Sequence, residues 1–251
     1  MRVVVTGAGG GIGAAMARRF AADGARVVVN DLDAAAAGAV AAEIGGRAVP
    51  GDAGSEADVR RLVEVAWDEL GGIDLFCANA GVLSAGGPDT PDEVWLRDFG
   101  VNVMSHVYVT RALLPRWLDG AGGHLLMTVS AAGLLTLLGS APYSVTKHAA
   151  LAYAEWLRAT YLHRGIKVQA LCPQGVRTDM MTRGGGASAS SSLLAEGAME
   201  AAEVAEVVAG GVLSDDFLIL PHAEVAEFYR RRATDPDRWL GGMNKLQRSF
   251  E

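Results

Sequence analysis

The chain has 251 residues, 50% of them hydrophobic, with 22 Lys plus Arg against 29 Asp plus Glu and a net charge of −7. That acidic balance offers no basic stripe for a phosphate backbone, which excludes nucleic acid as the expected partner, and no apolar stretch is long enough to span a bilayer. A chain of this size buries one large core, and a strand-like run beginning just after the first methionine leaves no room for a secretion signal, so a single cytoplasmic domain over 1–251 is expected.

Read in chain order, β and α signals alternate. The apolar run Val3–Val5 precedes an Ala-rich helix, Ile12–Ala22, and then a buried strand, Arg26–Asn30, closed by Asp31. Further helices are predicted over Ala34–Ile44, Glu56–Leu70, Asp92–Leu118, Pro142–Arg164 and Ala201–Gly211, with strands over Gly46–Val49, Ile73–Cys77, His124–Val129, Lys167–Leu171 and Phe217–Leu220. Such near-continuous apolar strands are the kind that parallel sheets bury on both faces. The alternation predicts an α/β fold, a doubly wound parallel sheet of Rossmann type in three layers, with ligands gathered at the carboxyl ends of the strands. The loops there carry Gly7, Asp31, Asp52, Asn79, Ser130 and Pro173.

The first of these loops is glycine-rich, Thr6-Gly7-Ala8-Gly9-Gly10-Gly11-Ile12-Gly13. Glycines after a buried strand let backbone N–H groups and a helix N-terminus face a pyrophosphate. Asp31, at the end of the second strand, suits the ribose diol of an adenosine and repels the extra phosphate of NADP, so NAD is favoured over NADP. The alternative is that Asp31 caps the next helix, for which Asp33 is at least as suitable. Further on, Tyr143 and Lys147 lie one helical turn apart, placing a phenol beside an ammonium that favours the phenolate. Ser130 upstream would hydrogen-bond a substrate oxygen, Tyr143 would exchange a proton with it, and Lys147 would bind a ribose and bias the phenol. Asn102, inside a long predicted helix, is read either as the anchor of a water chain or as a satisfied polar group at a kink.

The spacing Thr6-Gly7-x-x-x-Gly11-x-Gly13 differs from the general G-x-G-x-x-G fingerprint and matches the turn of the short-chain dehydrogenase/reductase family. The chain resembles the compact single-domain form of that family over residues 2–220, through Asp52-Ala53, Ala78-Asn79-Ala80-Gly81, Asn102 within Phe99-Gly100-Val101-Asn102, Ser130, and Tyr143-x-x-x-Lys147. The resemblance implies a nicotinamide-dependent oxidoreductase acting on a CH–OH group, with Asn102, Ser130, Tyr143 and Lys147 as its catalytic set. It assigns the cofactor to Gly7, Gly11, Ile12, Asp31, Asp52 at the adenine, Ala53, Asn79, Ala80, Tyr143, Lys147, Pro173, Val176 and Thr178. It also implies a homotetramer.

One departure stands out. Where the family reads Pro-Gly-x-Val-x-Thr, this chain reads Pro173-Gln174-Gly175-Val176-Arg177-Thr178, so a long polar side chain is expected in the substrate space. The small-residue stretch that follows suggests a substrate lid over 179–198. Leu135 and Met181, with Leu83, Leu134, Leu137, Leu138 and Met180, suggest an apolar substrate, unless several belong to the core. The tail, 222–251, reads as a solvated helix with an apolar face or as a packing surface for a second subunit. Cys77 and Cys172 read as buried free thiols, about 10 Å apart at roughly 4.8 Å per strand if one strand separates them. No histidine spacing suits a metal, and none is expected. Among the readings left, a secondary-alcohol dehydrogenase or ketone reductase is favoured over an epimerase or dehydratase of the same family and over a catalytically silent dinucleotide sensor.

Overall fold

Runs rich in Val, Leu and Ile favour extended backbone when both faces can be buried. Seven of them line up in parallel in the computed structural model, which describes residues 1–184, 194–195 and 197–250. In chain order the strands are β1 (Arg2–Val5), β2 (Arg26–Val29), β3 (Arg47–Ala48), β4 (Leu75–Ala78), β5 (Gly123–Thr128), β6 (Ile166–Leu171), β7 (Val176–Arg177), β8 (Met199–Glu200) and β9 (Leu218–Ile219). The main sheet runs β3-β2-β1-β4-β5-β6-β9, while β7 and β8 pair in a small parallel ladder of their own. Strand order reverses between β1 and β4, and the crevice at such a switch point is where an α/β sheet binds its ligand.

The helices are α1 (Gly11–Ala22), α2 (Ala34–Glu43), α3 (Glu56–Leu70), α4 (Asp92–Phe99), α5 (Ser105–Leu118), α6 (Ala132–Leu135), α7 (Ala141–Tyr161), α8 (Asp179–Gly184), α9 (Ala201–Gly211), α10 (Glu224–Thr234) and α11 (Pro236–Arg248). Alternate strand residues point to opposite faces. Val3, Val5, Leu75, Cys77 and Leu126 therefore pack with α1, α2 and α9, whereas Val4, Phe76, Leu125, Met127 and Val168 pack with α3, α5 and α7. The result is the expected three-layer, doubly wound sheet. Both cysteines are buried and free. Among the described residues no helix is long and apolar enough to cross a membrane.

The single helix predicted over Asp92–Leu118 is divided. A π-helical turn, Gly100–Met104, separates α4 from α5 and contains Asn102. Such turns insert one residue into the helical ladder and are frequent at functional sites. The predicted lid falls partly outside the described residues, at 185–193 and 196. Its described portions are α8, the pair Leu194 and Ala195, and the chain from Gly197 to Glu200 that brings β8 to β7.

Candidate active site

Above the carboxyl ends of the strands lies a cleft of about 1220 Å³. Its first wall is the glycine turn between β1 and α1. Gly13 lies so close to the strand end that a Cβ would stand 2.2 Å from the Gly7 carbonyl oxygen, so only glycine lets α1 begin there. Gly11 has φ +52°, a left-handed conformation costly for a side chain. Thr6 Oγ1 accepts the N–H groups of Asn79 at 3.0 Å and Ala80 at 3.1 Å, and Asn79 Nδ2 donates to the Thr6 and Gly7 carbonyls at 3.0 and 3.3 Å. Thr128 Oγ1 then donates to Asn79 Oδ1 at 3.0 Å. Asn79 thus ties the ends of β1, β4 and β5 together at the switch point.

Asp33, not Asp31, caps α2, accepting the N–H groups of Ala35 and Ala36. Asp31 instead accepts from Gly9 N–H at 2.8 Å through Oδ2 and from Asp33 N–H at 3.0 Å through Oδ1. Its carboxylate is pinned at the cleft wall by the glycine turn. Asp52 is exposed beside it and holds Gly54 N–H at 2.8 Å, while Ala53 is buried. The cleft therefore fits a dinucleotide. Gly10, Gly11 and Ile12 line it at the N-terminus of α1, where the helix dipole favours phosphate, and Asp31 and Asp52 line the adenosine end.

Ser130, Tyr143 and Lys147 meet in the same cleft. Ser130 follows β5, accepts Ala132 N–H at 3.0 Å and reaches the Pro173 carbonyl at 3.5 Å. Tyr143 and Lys147 project from the start of α7 and are 8% and 3% exposed, so this end of the cleft is largely dry. Lys147 Nζ donates to the Thr128 carbonyl at 3.0 Å and lies 5.6 Å from the centre of the Tyr143 ring. The sequence predicts a tyrosine whose pKa is lowered by its lysine, and the geometry gives the opposite direction. Burial raises the Tyr143 phenol, an effect opposed by the Ser130 hydrogen bond, and burial lowers the Lys147 ammonium to about 8. Both groups lose their water in one dry pocket, and that desolvation is the largest cause of both shifts.

Asn102 alone among the predicted catalytic residues does not line the cleft. It is wholly buried in the π-turn, where Oδ1 accepts Val82 N–H at 2.9 Å and Nδ2 donates to the Val82 carbonyl at 2.9 Å and to Thr146 Oγ1 at 3.0 Å. Its side chain is fully used in bracing the strand exit against the helix that carries Lys147. That arrangement matches the satisfied polar group at a kink.

On the other side, the loop after β6 brings Pro173, Gln174, Val176 and Thr178 to the cleft, together with Leu135 of α6 and Met181 of α8. Leu83, Leu137, Leu138 and Met180 also line it, but Leu134 is completely buried in the core. Thr136 sits in this wall with φ 75°, the one non-glycine residue with positive φ among those described, and strain of that kind collects at functional walls. His222, read from sequence as carrying no chemistry, is buried and straps the loop. Its Nδ1 accepts Gln174 N–H at 3.1 Å and its Nε2 meets the Gly175 carbonyl at 3.0 Å, which fixes the neutral tautomer protonated on Nε2.

The tail closes the wall. Phe228 of α10 and Trp239, Met243 and Leu246 of α11 line the cleft and are half-buried there, so the apolar edge of the tail faces the site of its own chain. Phe228 and Trp239 pack with ring centres 6.1 Å apart. Arg232 donates to the Leu134 carbonyl, latching α10 onto α6. The legible signal is the spacing Trp239, Met243, Leu246, an apolar stripe at helical period in an otherwise polar stretch.

Residues 1–186 match the family described as short chain dehydrogenase. The 1-deoxy-11-beta-hydroxypentalenate dehydrogenase of Streptomyces exfoliatus is 40% identical over 233 residues, covering 88% of this chain and 82% of that protein. Among solved structures, a short chain dehydrogenase/reductase from Burkholderia phymatum in complex with NAD superposes with a TM-score of 0.85 at 27% identity, covering 94% of this chain and 93% of that one. A 3-ketoacyl-(acyl-carrier-protein) reductase from Brucella melitensis complexed with NADH gives 0.79 at 28% identity, covering 87% and 93%.

Proposed function

Because the chain belongs to the short-chain dehydrogenase family, and so is an oxidoreductase acting on CH–OH groups with a nicotinamide cofactor, we propose that it uses NAD and interconverts an apolar, cyclic secondary alcohol with its ketone. The observation that carries this reading is the convergence of Ser130, Tyr143 and Lys147 at the dry end of a cleft whose other end presents a pinned carboxylate, Asp31. The bound nicotinamide would supply or accept the hydride at the alcohol carbon.

The chain's own residues do the rest. Ser130 Oγ holds the substrate oxygen; on reduction Tyr143 Oη gives that oxygen its proton and becomes a phenolate, and on oxidation the phenolate takes the hydroxyl proton and becomes the phenol again. A cation at Lys147 stabilises that phenolate, at a site where little water screens the charge. Asn102 is a positioning residue, holding Val82 and the Thr146 turn of α7 so that Lys147 stays in place. Val176 and Thr178, which line the cleft, would hold the nicotinamide carboxamide, with His222 fixing the loop that presents them. NAD is favoured over NADP because Asp31 puts a fixed negative charge at the ribose end and the adjacent Leu32 supplies no cation. The apolar wall from Leu135 to Leu246 supports a hydrophobic ring system as substrate, as does the hydroxypentalenate named for the Streptomyces relative. A homotetramer is proposed from the exposed apolar residues Leu96 and Phe99 on α4 and Val145 and Trp156 on α7.

The test is absorbance at the reduced-nicotinamide band with a panel of apolar cyclic secondary alcohols and NAD. Turnover supports the dehydrogenase. Tight NAD binding with no turnover of any alcohol or ketone would instead favour a silent sensor.

A further inference from the structure

Two polar atoms in the substrate wall are buried and have no hydrogen-bond partner among the described residues, Oε1 of Gln174 and Nε1 of Trp239. Both residues line the cleft, Gln174 on the loop after β6 and Trp239 on α11. A buried indole N–H nearly always finds an acceptor, and leaving a donor unpaired costs more than the bond would return. Among the described residues none accepts from it, and its ring neighbour Phe228 has no acceptor to offer. Neither residue belongs to the set Ser130, Tyr143 and Lys147 that carries the proton.

Resting on the dehydrogenase reading above, we propose that Trp239 Nε1 and the Gln174 amide form a specificity site for a second oxygen on the substrate, remote from the reacting carbinol and carried on an otherwise apolar skeleton. Trp239 donates to that oxygen, and the Gln174 amide, turned over so that Nε2 takes the buried position of Oε1, donates to it as well. The site discriminates by the logic of paired polar groups. A substrate bearing the oxygen satisfies them, whereas one lacking it leaves them desolvated and empty-handed, which is how a pocket rejects an analogue that is missing a hydrogen-bonding group. A carboxylate and a neutral carbonyl share this chemistry. Glu224 and Asp179 also line the cleft and would repel the former more than the latter.

The experiment compares decalol with two analogues bearing a ketone or a carboxylate on the second ring, on wild type and on Trp239→Phe. Phenylalanine keeps an aromatic ring against Phe228 but deletes the N–H and shrinks the ring, and taking the ratio to decalol cancels the lost apolar contact. Wild type is expected to favour an oxygenated analogue over decalol by about 3- to 10-fold in kcat/KM, the worth of one such bond. In Trp239→Phe that ratio should fall toward one, with the loss appearing in substrate KM and the KM for NAD unmoved. Whether the ketone or the carboxylate shows the larger preference identifies the oxygen. A preference that survives intact in Trp239→Phe, or its absence in wild type, overturns the proposal. Should none of the three alcohols be oxidised, the dehydrogenase reading is in question, and calorimetric binding of the same three compounds to the NAD-loaded proteins still decides the contact by the same ratio.

Discussion

Replacing Lys147 by methionine tests how this chain stores charge in its site. The ammonium is 3% exposed, and burial lowers it from its ordinary 10.5 to about 8. Below about pH 8 the folded and unfolded chains both carry the proton, and folding bears the whole cost of burying it. Between about pH 8 and 10.5 the folded chain releases the proton while the unfolded chain keeps it, so stability rises with pH across that window. A fall of this size corresponds to about 3 kcal/mol as a ceiling, of which about 2 kcal/mol should be gained by pH 10. Methionine matches the stem without the charge. Urea unfolding of the cofactor-free proteins should therefore show Lys147→Met gaining on wild type most at pH 7, with the difference shrinking by about 2 kcal/mol at pH 10. The Thr128 carbonyl loses its partner in the variant, which shifts both points alike and leaves the trend readable. A difference that does not change with pH would refute the claim that the lysine is held against its charged form.

Two further substitutions address selectivity. Asp31→Ala removes the carboxylate at the ribose end and also frees Gly9 N–H, so NAD affinity should fall while the NADP-to-NAD ratio of kcat/KM rises by about 10-fold, the worth of roughly 1.4 kcal/mol of repulsion relieved; a wild type that already prefers NADP would contradict the assignment. Gln174→Gly should raise substrate KM several-fold with little change in NAD affinity, since one lost buried bond costs about 0.5–1.5 kcal/mol. If NAD binding weakens instead, Gln174 serves the backbone held by His222 rather than the substrate.

Much of this architecture is legible in the sequence because its signals are local. Val3–Val5 and Lys167–Leu171 are apolar runs bounded by turns, and they form β1 and β6 within a residue or two. The glycine turn and the i, i+4 pair of Tyr143 and Lys147 place their groups by backbone geometry alone. What escapes the sequence depends on distant contact. The sequence leaves Asn102 between a water-chain anchor and a satisfied polar group at a kink because a π-turn leaves no compositional mark, and its role as a brace emerges only once Val82 and Thr146 are beside it. His222 has no ligand spacing because its partners are the backbone of Gln174 and Gly175, far away in sequence. The direction of the Tyr143 shift fails for the same reason: adjacency on a helix says nothing about how much water the folded chain removes. The tail carries its apolar stripe in plain view, but the surface it covers is decided by where α10 leaves the sheet.

The most direct test of the central claim is the rate of hydride transfer by Tyr143→Phe beside wild type, with NAD binding measured on both. Phenylalanine preserves the ring and removes the proton-carrying oxygen. Turnover should fall by at least about 100-fold, the usual contribution of a positioned general acid or base, while the NAD dissociation constant changes little. A variant that retains most of its activity, with NAD bound as in wild type, would show that the proton travels by another group and that the assigned site is wrong.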